Sequence, residues 1–99
     1  MSNSDATSLI AEIAARTEIA IELASRRLES ESDRWRYNCY RLLATNLAAY
    51  KKSFLEGRLG APGGGAGWGA GKALSDWDLN DHEMSAAVNA AETLFRDGR

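Results

Sequence analysis

The sequence predicts an all-α fold: a helical hairpin followed by a third, C-terminal helix, forming a small bundle that stands alone or is completed by dimerisation. Three observations carry this. Apolar residues recur at helical spacing through three segments, and no stretch alternates apolar and polar residues for long enough to make a strand. Eight of the nine glycines fall between positions 57 and 71, which leaves the helical segments almost free of breakers. Ninety-nine residues make one domain. A core of that size leaves a modest stability margin, to which self-association would add.

The first helix is clearest from Leu9 to Leu28. Placed at about 100° per residue, Leu9, Ile10, Ile13, Thr17, Ala20, Ile21, Ala24 and Leu28 share one arc, and Glu12, Glu18, Glu22, Arg26 and Glu29 lie off it. Glu12 with Arg16 and Glu22 with Arg26 set an acid one turn before a base, which supports a helix by a few tenths of a kcal/mol per pair. Ser4, Asp5, Thr7 and Ser8 are candidate N-caps. Ile19 and Leu23 stand on a shoulder away from the main arc and form the expected dimer face.

The second helix runs from about Asp33 to Glu56. Trp35, Cys39, Tyr40, Leu42, Leu43, Leu47, Tyr50 and Phe54 share a broad face, with Arg34, Arg41, Thr45, Lys52 and Glu56 opposite. The break between the two helices falls in LESESD, residues 28–33, with Ser30 or Ser32 as cap and Glu31 and Asp33 in the first turn. That stretch holds neither glycine nor proline, so one continuous helix is the alternative.

Gly57 and Gly60 end the second helix and open a glycine-rich, flexible connector over 57–73. Trp68 stands alone within it. Burying one tryptophan contributes roughly 4–6 kcal/mol as an upper bound, whereas ordering a backbone costs about 1–2 kcal/mol per residue. Trp68 therefore pins its own neighbourhood, against the helices or a partner, and leaves slack on either side. The third helix follows, with Asn80 and Glu83 as a capping pair and Asp81 in its first turn. Met84, Ala87, Val88, Ala91 and Phe95 line its narrow, alanine-rich apolar face, which packs on the hairpin or exchanges with a second copy. Trp77, just ahead of it, serves as a hydrophobic staple or a second anchor.

Chemistry has little purchase in this sequence. The frame ending at Gly71 and Lys72 begins at Ala66 and continues with Ala73, so it lacks the first glycine and the hydroxyl residue of a phosphate-binding loop. Cys39 is the single cysteine, which rules out an internal disulfide and a four-cysteine zinc site. It lies on an apolar arc, where a thiol is inert. His82 is the single histidine and sits at a helix start as a surface residue. Glutamate and histidine do not pair at diiron spacing, so neither a cofactor nor a metal is expected.

A net charge of −2 gives no nucleic-acid footprint, but the charge is unevenly placed. Residues 31–60 carry six bases and three acids, between two acidic flanks. Within RWRYNCYR, residues 34–41, aromatic and basic side chains interleave. The expected function is a non-catalytic protein–protein interaction, adaptor or regulatory module, self-associating, with Trp35, Arg36, Tyr37, Tyr40 and Trp68 as contact residues. The alternative is a nucleic-acid accessory protein that uses Arg34, Arg41, Lys51 and Lys52. No run approaches the length of about 20 apolar residues that spans a bilayer, and the amino terminus lacks the pattern of a secretory signal. A cytoplasmic location is expected.

Overall fold

The computed structural model describes the backbone of residues 3–98 and the side chains of 7–98. It is all-helical: α1 (Asn3–Ser30), α2 (Arg34–Leu55), α3 (Ala70–Asp76) and α4 (His82–Asp97). Helix α1 is the spine, and both α2 and α4 pack along it. It runs antiparallel to each. Glu18 meets Lys51 of α2, Arg16 reaches the Ala90 carbonyl of α4, and Arg27 meets Asp81 at the start of α4. Helices α2 and α4 are therefore parallel, and among the described residues their backbones do not pack on each other.

Two apolar clusters fill the interior. The larger joins Ala20, Leu23 and Ala24 of α1, Tyr40, Leu43 and Leu47 of α2, and Met84 and Val88 of α4, with Ala70, Leu74 and Leu79 closing one side. The smaller joins Ile13, Phe54, Leu94 and Phe95. Thr17 is fully buried between them, and its hydroxyl donates to the Ile13 carbonyl at 2.7 Å, so its burial leaves no polar group unpaired.

The hairpin break is real and lies where the sequence predicts it, but the cap differs. Asp33, not Ser30 or Ser32, accepts the Arg36 amide at 2.9 Å and starts α2. Asp81, not Asn80, likewise accepts the Met84 amide at 3.1 Å and starts α4. In both cases an aspartate carboxylate stands three residues ahead of its amide donor, the ordinary reach of an N-cap. Ser4, Asp5, Thr7 and Ser8 lie inside α1, which begins at Asn3, so they do not cap it. Glu12 and Arg16 form their pair at 2.9 Å. Glu22 and Arg26 form none among the described residues.

The connector departs from its expected slackness. Because α2 and α4 are parallel, the chain must return along the bundle between them, and it does so docked. The amides of Gly63 and Gly65 donate to the carbonyls of Phe95 and Arg96 at 2.8 and 3.0 Å, satisfying acceptors that the end of α4 would otherwise leave open. Glu92 accepts the amides of Ala70 and Gly71 at 3.0 and 3.2 Å and so caps α3, a seven-residue helix that begins inside the stretch read as flexible. Gly67 lets the backbone come close, since a Cβ there would fall 2.5 Å from Oε2 of Glu92 and displace that side chain. Trp68 then fills the gap between the parallel helices. Its ring stacks on Tyr50 of α2 at 5.6 Å and leans on Phe95 of α4 at 5.1 Å. Helix α4 packs on its own hairpin, with Met84, Val88, Ala91 and Phe95 buried as the periodicity predicts.

Candidate functional site

The titratable side chains that gather in one place do so at the end of the bundle where α2 and α4 begin. Asp81 is the hub. Its carboxylate accepts from Arg27 Nε at 2.9 Å and from the Tyr40 hydroxyl at 2.6 Å, besides the Met84 amide. Arg27 also bonds Glu83, and Arg36 joins Glu31 at 2.9 Å, the Leu79 carbonyl at 2.8 Å and the Tyr40 oxygen at 3.2 Å.

Burial alone would raise the Asp81 carboxyl, but the hydrogen bonds from Arg27, Tyr40 and Met84 outweigh it and hold the pKa at about 2. Burial and the Asp81 carboxylate together push the Tyr40 hydroxyl up. Hydrogen bonding to Asp81 and Glu83 raises Arg27, and hydrogen bonding to Glu31 raises Arg36. Asp81, Arg27 and Arg36 are thereby held charged and Tyr40 neutral. A carboxylate held that low gives up no proton at neutral pH, and the cluster's chemistry is to tie three helices and the α3–α4 turn together.

Several residues expected at a contact surface belong to this interior instead. Tyr40 is 1% exposed, and its hydroxyl is spent on Asp81. Arg36 is engaged within the chain, and Trp68 is packed between α2 and α4. Leu23 is buried in the larger cluster, so it cannot share a dimer face with Ile19, which is exposed among charged neighbours. Lys51 is paired with Glu18 at 2.8 Å. Burial pushes the Cys39 thiol up, away from the thiolate form. His82 is exposed at the start of α4. Among the described residues no group of three His, Cys, Asp or Glu side chains is placed to hold a metal ion, and no helix is long and apolar enough to cross a membrane.

Of the residues expected at a contact surface, Trp35 and Tyr37 are exposed. Trp35 and Leu42, predicted on the core face of α2, are 51% and 43% exposed on its outer flank. Tyr37 is exposed on the opposite flank. Two apolar depressions open beside the hairpin. One, of about 640 Å³, lies at the far end among Leu9, Ile10, Phe54, Leu55 and Pro62. The other, of about 580 Å³, lies along the outer side of α1 and α2 among Ile21, Ala48, Leu55 and the Glu18–Lys51 pair. Leu55, 54% exposed, borders both and joins them into one trough.

Tyr37, Leu55 and Ile10 are large apolar side chains that a chain of this size has reason to cover. Sequence reasoning missed Leu55 and Ala48. The available signal was a second apolar stripe: Tyr37, Ala44, Ala48 and Leu55 on α2 recur at seven-, four- and seven-residue intervals, and Ile10, Ala14, Ile21 and Leu28 on α1 follow the same rule. Comparison of the chain with protein-family models, with curated proteins and with solved structures finds no match.

Proposed function

We propose that the protein is a non-catalytic interaction module, an adaptor or regulatory unit acting in the cytoplasm through a protein partner. The observation that carries this is the apolar trough on the outer side of α1 and α2. It is wide, open and joined through Leu55, while the clustered ionisable groups are consumed by bonds that hold the fold. An enclosed cavity with a few convergent polar groups would favour a small-molecule site. An open apolar trough flanked by charges favours a polypeptide.

The nucleic-acid alternative rests on Arg34, Arg41 and Lys52, which are exposed along one stripe of α2. Acidic Glu22 and Glu29 stand exposed on the neighbouring helix, and Lys51 is already paired, so the stripe lacks the breadth that a phosphate backbone needs. That alternative requires binding that weakens steeply with salt.

A photo-crosslinking side chain placed at Leu55 tests the interaction proposal, with the same group at Ala86 on exposed α4 surface as reference. Adducts to polypeptide from position 55, and none above background from position 86, are the expected outcome. Quenching by water alone at both positions would remove the trough as a contact surface.

A further inference from the structure

We infer that a second copy of this chain closes the outer face of the α1–α2 hairpin, the two hairpins forming a four-helix bundle about a two-fold axis parallel to the helices. This deepens the interaction proposal and rests on it. Ile10 and Ile21 of α1 and Ala48 and Leu55 of α2 line the trough, and they belong to stripes, Ile10–Ala14–Ile21–Leu28 and Tyr37–Ala44–Ala48–Leu55, whose four- and seven-residue spacing is that by which helices mesh in bundles. Three of their four middle positions, Ala14, Ala44 and Ala48, are small, and Ile21 is the one large side chain among them. Their ends are large: Ile10 and Leu55 at one end, Leu28 and Tyr37 at the other.

Charge decides both the occupant and its orientation. Lys52 borders the trough on the α2 side and Glu18 on the α1 side, and the exposed Arg34 and Arg41 continue the basic row along α2 as the exposed Glu22 and Glu29 continue the acidic row along α1. Among the described residues, Arg34, Arg41, Lys52, Glu22 and Glu29 have no ion-pair partner. A face with a basic wall and an acidic wall is complementary to itself under one of the two possible two-fold operations. An axis across the helices would set base on base. An axis along them sets each α1 against the α2 of the other copy, acid on base, with every neighbouring pair of helices antiparallel.

The register agrees. Within the chain Glu18 stands level with Lys51, so the neighbouring Lys52 of a second copy comes level with Glu18. Arg41 precedes Lys52 by eleven residues, and Glu29 follows Glu18 by eleven, which brings Arg41 of one copy level with Glu29 of the other. Eleven residues are about three helical turns, so both pairs emerge on the same faces. The area suffices as well. A face about 33 Å long, from 22 residues of α2, on a bundle 21 Å across covers on the order of 600 Å² per copy, at the lower end of specific interfaces.

Sedimentation equilibrium of the wild type, Glu29→Lys, Arg41→Glu and an equimolar mixture of the two variants tests this, with circular dichroism to show that each stays folded. The wild type is expected to dimerise. Each variant alone sets like charges together twice per dimer and is expected to raise the dissociation constant at least tenfold. The mixture restores opposite charges at both contacts and is expected to return to the wild-type value. A wild type that stays monomeric over the whole series overturns the inference, and polypeptide adducts at position 55 would then still support an interaction with a different partner. A dimer that neither variant weakens overturns the proposed face. Two weakened variants with no recovery on mixing overturn the proposed axis.

Discussion

The two ends of the bundle are held together by different physics. Where α2 and α4 begin, directional bonds dominate: Asp81, Arg27, Tyr40, Arg36 and Glu31 form one connected network of hydrogen bonds and ion pairs. Where those helices finish, aromatic rings dominate, with Trp68, Tyr50, Phe54 and Phe95 packed across a gap and glycine amides stitched to the last turn of α4. The first end is specified by geometry and is sensitive to pH. The second gains from the area it buries and depends on a backbone thin enough to come close.

Removing the ring breaks the aromatic end most severely. Trp68→Ala is expected to cost about 3–4 kcal/mol, measured as a fall in the urea midpoint, because the cavity opens between two helices whose backbones do not pack on each other. Trp68→Phe sharpens the point. The indole Nε1 is buried with no hydrogen-bond partner, so replacing it removes an unpaired donor together with part of the ring. A cost of about 1 kcal/mol, well below that of alanine, is the expected result from the same titration.

At the polar end, Asp81→Asn is expected to cost about 2–3 kcal/mol, since Arg27 and Tyr40 both lose a charged partner. The wild-type carboxyl sits at about 2 against an ordinary 3.8. Its contribution, about 2 kcal/mol, is therefore complete above pH 5 and is lost progressively as the pH falls through 4 toward 2. Thermal melts across that window should show a steeper acid loss for the wild type than for Asp81→Asn. Trp68→Ala should leave that slope unchanged.

Smaller effects separate the docked connector from a plain linker. Glu92→Ala removes the carboxylate that caps α3 and is expected to cost about 1 kcal/mol, with faster amide exchange at Ala70 and Gly71. Lys51→Met breaks the Glu18 pair on the outer side of the hairpin and is expected to change stability by about 0.5 kcal/mol or less.

The contrast between the ends also explains which parts of the fold the sequence could reveal. The three long helices were legible because each buries a stripe of its own residues, and periodicity records that directly. The cap of α4 was legible to within one position, as the shift from Asn80 to Asp81 shows, whereas the four α1 candidates fall inside their helix. Helix α3 and the docked connector were not, because their order comes from partners far along the chain: Gly63 and Gly65 bond carbonyls more than thirty residues away, and Glu92 caps a helix twenty-two residues earlier. Glycine composition reports local freedom and is silent about such bonds. The same applies to the surface. Arg36 and Tyr40 look like contact residues by type, and what removes them from that role is Asp81, which lies forty-one positions beyond Tyr40. Trp35 and Leu42 sit at the margin of the apolar arc, where a few tens of degrees decide between core and solvent.

The parallel course of α2 and α4 has an electrostatic consequence. Two helix N-termini lie side by side at one end and two C-termini at the other, while α1 contributes one terminus of the opposite kind to each. With about half an elementary charge per terminus, the macrodipoles do not cancel in threes as they would in pairs: one end keeps an excess positive field, the other an excess negative one. Carboxylates of Glu31, Asp33, Asp81 and Glu83 collect at the positive end, and at the negative end the amides of Gly63 and Gly65 point into the open carbonyls of α4. The carboxylate cluster and the glycine-rich return are thus two answers to one imbalance, set by running an odd number of long helices through a single bundle.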